Sequence, residues 1–113
     1  MEKIAEMALL LDFYGPLLTA KQRDYLDLYF QQDLSLREIA ELKGVSPQAA
    51  HDIIRRSVKQ LQGYEADLGL VKQYFRQKKL VQEGMRLLAA YRDEGGPEKL
   101  TRLEEIFRDL LHQ

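Results

Sequence analysis

The chain contains no cysteine, no tryptophan and no asparagine, and its only histidines are His51 and His112. Without cysteine there is no disulfide, no thiolate zinc site and no thiol nucleophile, and a reducing compartment such as the cytoplasm suits the composition. Metal and catalytic centres gather His with carboxylates at fixed spacing. No such cluster occurs, so no metal, no cofactor and no enzymatic activity is expected. Gly95-Gly96-Pro97 reads as a helix stop, not as a loop that cradles phosphate. The longest aliphatic run, Met7 to Leu11, is too short to cross a bilayer. Glu2 and Glu6 stand where a signal peptide would be cationic, so neither secretion nor membrane insertion is expected. An excess of one charge is missing too: seventeen basic residues face eighteen acidic ones, so no global field drives the molecule onto nucleic acid.

Helical periodicity is what the sequence does have. Each of the three prolines falls at a helix edge, and no stretch alternates long enough for a strand, so the fold class is all-α. The first helix spans Glu2 to Tyr14, with one stripe of Ile4, Ala8 and Leu11 and a second of Met7, Leu10 and Tyr14. Gly15-Pro16 ends it. Thr19 to Gln22 forms a capping box that opens the second helix, whose Tyr25, Leu26, Tyr29 and Phe30 are expected to face a core. Ser35 to Glu38 is another capping box, opening a short helix that stops at Gly44. Ser46 and Pro47 then start a fourth helix. Its Ala50, Ile53, Ile54, Ser57, Val58 and Leu61 make one apolar face, and Gln48, His51, Asp52, Arg55, Arg56 and Lys59 make a polar one. After Gly63, residues 64–93 suggest one long or two abutting helices striped by Leu68, Val71, Tyr74 or Phe75, Val81, Met85 and Leu88. A last helix carries Leu100, Leu103, Phe107 and Leu110.

Two short helices joined across residues 42–46 are the pattern of a helix-turn-helix. Its steric demands are met in register: Ala40 is small where the helices cross, Gly44 permits the turn, Val45 plugs the corner, and the following helix keeps a polar face. In the docking geometry of this motif, Gln48, His51, Asp52 and Arg55 face base edges, while Arg37, Lys43, Arg56 and Lys59 lie near phosphates. Local charge agrees: residues 34–63 hold five basic and three acidic side chains, whereas residues 1–33 hold three and six. Against DNA stand Asp52 in the middle of the face and the near-neutral total charge. The domains expected are 1–63, the helix-turn-helix, and 64–113, a helical arm. The arm has more striped helix than one small bundle covers, which points to a homodimer with two reading helices on paired half-sites.

The run from Asp12 to Gln22 (D-F-Y-G-P-L-L-T-A-K-Q), then Leu34 to Glu41, then Val45 to Ala50, resembles the bacterial YlxM-like family of small helix-turn-helix proteins. The resemblance covers essentially the whole chain. Residues 36–61 are also similar to region 4 of bacterial sigma factors. That similarity implies base-facing positions at Pro47, Gln48, Ala49, His51 and Asp52, where Pro47, Ala49 and Asp52 replace the longer or cationic side chains sigma factors favour. Family members are typically encoded beside the signal recognition particle GTPase, which implies a part in that pathway. Two functions follow as expectations: a non-enzymatic DNA-binding regulator tied to the signal recognition particle pathway, or a protein- or RNA-binding accessory of the particle without specific DNA binding.

Overall fold

The computed structural model describes residues 2–112, with side chains placed from residue 5 onward, so the expected role of Ile4 lies outside the described residues. Helix α1 spans Glu2–Tyr14 and runs into a 3-10 turn at Gly15–Leu17. Helix α2, Ala20–Leu26, continues as a π-helical turn at Asp27–Gln31; α3, Leu36–Lys43, is followed by α4, Pro47–Leu68. Helix α5, Leu70–Glu94, and α6, Pro97–Leu111, complete the described residues, among which there is no strand. Two compact units result, one up to Val71 and one from Lys72 onward.

Local chemistry sets the helix starts. Thr19 Oγ1 accepts the Gln22 N–H at 3.1 Å while Gln22 Oε1 accepts the Thr19 N–H at 3.0 Å. Ser35 and Glu38 repeat this reciprocal cap at 3.0 Å in both directions. Each box satisfies two backbone donors that the first turn of a helix leaves unpaired. Between α1 and α2 the guanidinium of Arg23 donates to the carbonyls of Leu18, at 2.7 Å, and Gly15, at 3.2 Å, and so fixes the corner.

The core of the first unit joins Met7, Leu10 and Tyr14 of α1 to Tyr25, Leu26 and Leu28, to Ile39 of α3, and to Ala50, Ile54 and Leu61 of α4. Complete burial of a side chain such as Leu61 contributes about 2 kcal/mol. Helix α4 thus packs with the face its periodicity foretells.

Two expectations change. Tyr29 was expected in the core, but it is half-exposed and Leu28 is buried in its place. The chain widens to i→i+5 bonding there, with the Gln32 N–H on the Asp27 carbonyl at 3.0 Å, which breaks the 3.6-residue phase the expectation assumed. Gly63 does not end the fourth helix. Helix α4 runs through it to Leu68 and stops at Gly69, which adopts the left-handed conformation, φ 63°.

In the second unit α5 and α6 form a hairpin turned by Gly95 and Gly96 at φ 75° and 107°. The helices run antiparallel: Arg76 pairs with Asp109, Glu83 with Arg102 by two hydrogen bonds, and Gly84 faces Leu103. Their shared seam buries Gly84, Leu103 and Ile106, with Leu80, Leu87 and Leu110 half-buried. Of the stripe expected on these helices, Val81, Met85, Leu88, Leu100 and Phe107 are exposed. The reason is geometric: α5 is apolar on two faces, and α6 covers only one of them.

Candidate nucleic-acid interface

The turn between α3 and α4 is built from backbone. Gly44 sits at φ 68°, ψ 33°, and its N–H returns to the Ala40 carbonyl, which also accepts the Val45 N–H at 3.0 Å. Ala40 is buried, and Val45 packs half-buried against the core, so the corner is small and plugged as the motif requires. Ser46 Oγ accepts the Ala49 N–H at 3.1 Å, and Pro47 takes the first helical position, where no amide donor is missed. Helix α4 is thereby launched with one face pinned by Ala50, Ile54, Ser57 and Leu61. Ser57 is buried without loss because its hydroxyl donates to the Ile53 carbonyl at 2.7 Å.

The opposite face of α4 is outward. At a hundred degrees per residue, Gln48, Asp52, Arg55 and Lys59 form its midline, with His51 on one flank and Arg56 on the other. Gln48, His51, Arg55, Arg56 and Lys59 are exposed and Asp52 is half-exposed. Arg55 and Lys59 have no hydrogen-bond or ion-pair partner among the described residues, and neither does Arg37 at the start of α3. Arg56 Nε donates to the Asp52 carbonyl at 3.3 Å, which lays its side chain back along the helix. Asp52 accepts from Gln48 Nε2 at 3.3 Å and stands 3.9 Å from His51 Nδ1. Its carboxylate is therefore hydrogen-bonded by Gln48, one of the neighbours expected to read bases, and not paired with Arg55.

Lys43 is held differently. Its ammonium pairs with Asp24 of α2 and lies 5.6 Å from the centre of the Tyr25 ring. It ties α3 to α2, and reaching a phosphate requires it to leave that carboxylate. Glu38 is likewise committed: the backbone N–H of Ser35, and then the Ser35 hydroxyl, hold its carboxyl below the usual carboxylate range. It is bound within its cap and does not neutralise Arg55 or Lys59.

Two features escape sequence reading. A cleft of about 340 Å³ opens beside the outward face of α4, between Ile54 and Val58 on one side and Tyr29 and Leu36 on the other. One of its walls is Tyr29, which lies within the π-helical turn and is exposed. The other feature is Tyr14, from the D-F-Y run, which is wholly buried. Its hydroxyl donates to Glu65 Oε1 at 2.5 Å and accepts the Leu70 N–H at 2.9 Å, while Glu65 Oε1 also accepts the Val71 N–H at 3.0 Å. One phenol and one carboxylate thus satisfy the first amides of α5 and anchor the end of α4 to α1. The tyrosine in the run offers a hint of this, but its partners lie more than fifty residues away.

Among the described residues no group of His, Asp and Glu is placed to hold a metal, and no helix is long and apolar enough to cross a membrane.

Comparison with known proteins agrees with the motif. Residues 1–94 match the family UPF0122, described as "Putative helix-turn-helix protein, YlxM / p13 like". The chain is 38% identical over 113 residues to a UPF0122 protein of Desulforamulus reducens, spanning all of this chain and 97% of that one. It is 40% identical over 110 residues to one of Bacillus velezensis, with 97% of each covered, and 56% identical over 73 residues to one of Latilactobacillus sakei, with 65% of each covered. None of these relatives carries an activity in its name. The match across most of the chain, the spacing of Ala40, Gly44 and Val45, and the free polar face of α4 agree: this protein belongs to the UPF0122 family of YlxM-like helix-turn-helix proteins.

Proposed function

We propose that this protein is a DNA-binding regulator whose α4 enters the major groove, acting as a homodimer and serving the signal recognition particle pathway. Gln48, His51, Asp52 and Arg55 face base edges, and Arg37, Arg56 and Lys59 rest against phosphates, joined by Lys43 if it exchanges Asp24 for a phosphate oxygen. The observation that carries this reading is the pair of unpartnered cations, Arg55 and Lys59, on the outward face of a helix whose other face is locked into the core. Cations without an internal partner give up no ion pair when they meet phosphate, and the counterions they release drive association. A gel shift of the region upstream of the protein's own operon, at two salt concentrations, tests it. Specific binding weakens with salt and weakens further in the Arg55→Ala, Arg56→Ala double variant; absence of binding at low salt discards the reading.

Dimerisation is supported by the second unit. Tyr74, Val81, Met85 and Leu88 share one face of α5, and Leu100, Phe107 and Leu111 one face of α6; all are exposed. Each set lies about a quarter turn from the buried seam, and because the helices are antiparallel both fall on the same side of the hairpin. An apolar face of this extent is what partner surfaces present. The same face favours a second reading, an accessory of the signal recognition particle that holds protein or RNA without reading DNA. A pull-down of the particle's GTPase and RNA, retained in the double variant, distinguishes it.

A further inference from the structure

The cleft beside α4 is not explained by DNA reading. Its surfaces are Tyr29 at the π-helical turn, Leu36 at the start of α3, and Ile54 and Val58 on the flank of α4. Its rim is cationic: Arg55 and Lys59 border it, with His51 at one end, and no carboxylate lines it. A groove floored by aliphatic groups with two unpartnered cations at its lip is complementary to apolar side chains flanked by carboxylates. The surface around it is helical and offers no strand edge for an extended peptide to extend, so the matching ligand is a helix presenting residues at i, i+3 or i+4, and i+7. At about 340 Å³ the cleft takes a few side chains, at the lower end of ligand-sized sites.

We infer that this cleft is a docking site for an acidic amphipathic helix of a partner protein, whose apolar residues fill the space between Tyr29 and Val58 and whose carboxylates pair with Arg55 and Lys59. A π-helical turn is an irregularity that helices retain mostly where function uses it, and here Tyr29 of the cleft wall lies within it. Because Arg55 and Lys59 also lie on the outward face of α4, such a helix and DNA exclude each other, and the partner acts as an antagonist of DNA binding.

The test is fluorescence anisotropy on the full chain with a labelled helical peptide carrying Leu and Phe at i, i+4 and i+7 and Glu elsewhere. A second peptide has every Glu replaced by Lys. The expected results are micromolar binding of the acidic peptide, no binding of the basic one, and about tenfold weaker binding in Tyr29→Ala and in Arg55→Glu. Tyr29→Ala leaves every cation in place, so a DNA duplex still binds it if the DNA reading holds, and failure of one reading is separable from failure of the other. Melting by circular dichroism establishes that the variants are folded. If Tyr29→Ala does not fold, Tyr29→Gln, which keeps a polar side chain at this exposed position and likewise leaves every cation in place, is used instead. Equal binding of the two peptides, binding unchanged by these variants, or no binding of the acidic peptide overturns the inference.

Discussion

Tyr14 shows how much one residue can join. Its hydroxyl ties three helices through Glu65 and the Leu70 amide, so Tyr14→Phe leaves a half-buried carboxylate and a backbone N–H short of a partner. The expected loss is about 1–3 kcal/mol, read as a lower denaturant midpoint with an unchanged slope. Burial first, and then the hydrogen bond to Glu65, raise the phenol's pKa above its usual value. The folded state therefore favours the neutral phenol. This contribution is fully present below the unfolded tyrosine pKa of about 10 and is lost as pH rises through the higher folded value. Melting curves at alkaline pH should show a steeper loss of stability in the wild type than in Tyr14→Phe. Asp52 carries the opposite kind of prediction. Its carboxylate faces outward among the positions proposed to face bases, so on that reading Asp52→Asn removes repulsion from phosphate and should tighten DNA binding several-fold at low salt, with little change in stability.

At the scale of elements, glycines separate the conformations that matter from those that do not. Gly63 is helical, exposed and has open space where a Cβ would stand, so Gly63→Ala should stabilise the protein by about 1 kcal/mol. Gly44 and Gly69 have equal room but left-handed backbones, so Gly44→Ala and Gly69→Ala should each destabilise it by about 1–2 kcal/mol. Urea titrations check all three, and the opposite signs identify which glycine ends α4. Much of this level was legible in the sequence. Both capping boxes, the Gly44 stop and the Ser46-Pro47 start are local signals, and local signals are what a sequence carries openly. What was hidden depends on phase or on distant contact. Nothing near Asp27 announces i→i+5 bonding, so Tyr29 was placed in the core. Gly63 resembles a stop because its weak propensity shows in the sequence, whereas the Leu61, Tyr64 and Glu65 contacts that carry α4 past it do not. The polar face of α4 was readable as a set of residues. The engagement of Lys43 with Asp24 comes only from packing α3 against α2 in three dimensions, whereas the Gln48–Asp52 bond is an i,i+4 contact within α4.

At the scale of the whole molecule, one unit has a covered core and a cationic outer helix face, and the other is a hairpin with an apolar side left open. The hairpin's ion pairs, Glu83 with Arg102 and Arg76 with Asp109, are exposed to solvent, which screens them, and contribute little. Its seam buries few side chains. A second copy laid across Val81, Met85, Leu88 and Phe107 would add the cover it lacks. Met85→Asp, at a residue 66% exposed, should leave the helical signal intact and shift the sedimenting species from dimer to monomer. It should also weaken binding to a two-half-site operator far more than to a single half-site.

The central claim is that the outward face of α4 is the surface that meets DNA. Backbone amide shifts of labelled protein, recorded with and without a duplex from upstream of its operon, test it most directly. The account predicts perturbations concentrated between Gln48 and Lys59, with Arg37 beside them, fading as salt is raised. Perturbations confined to α5 and α6, with α4 unmoved at low salt, would contradict it.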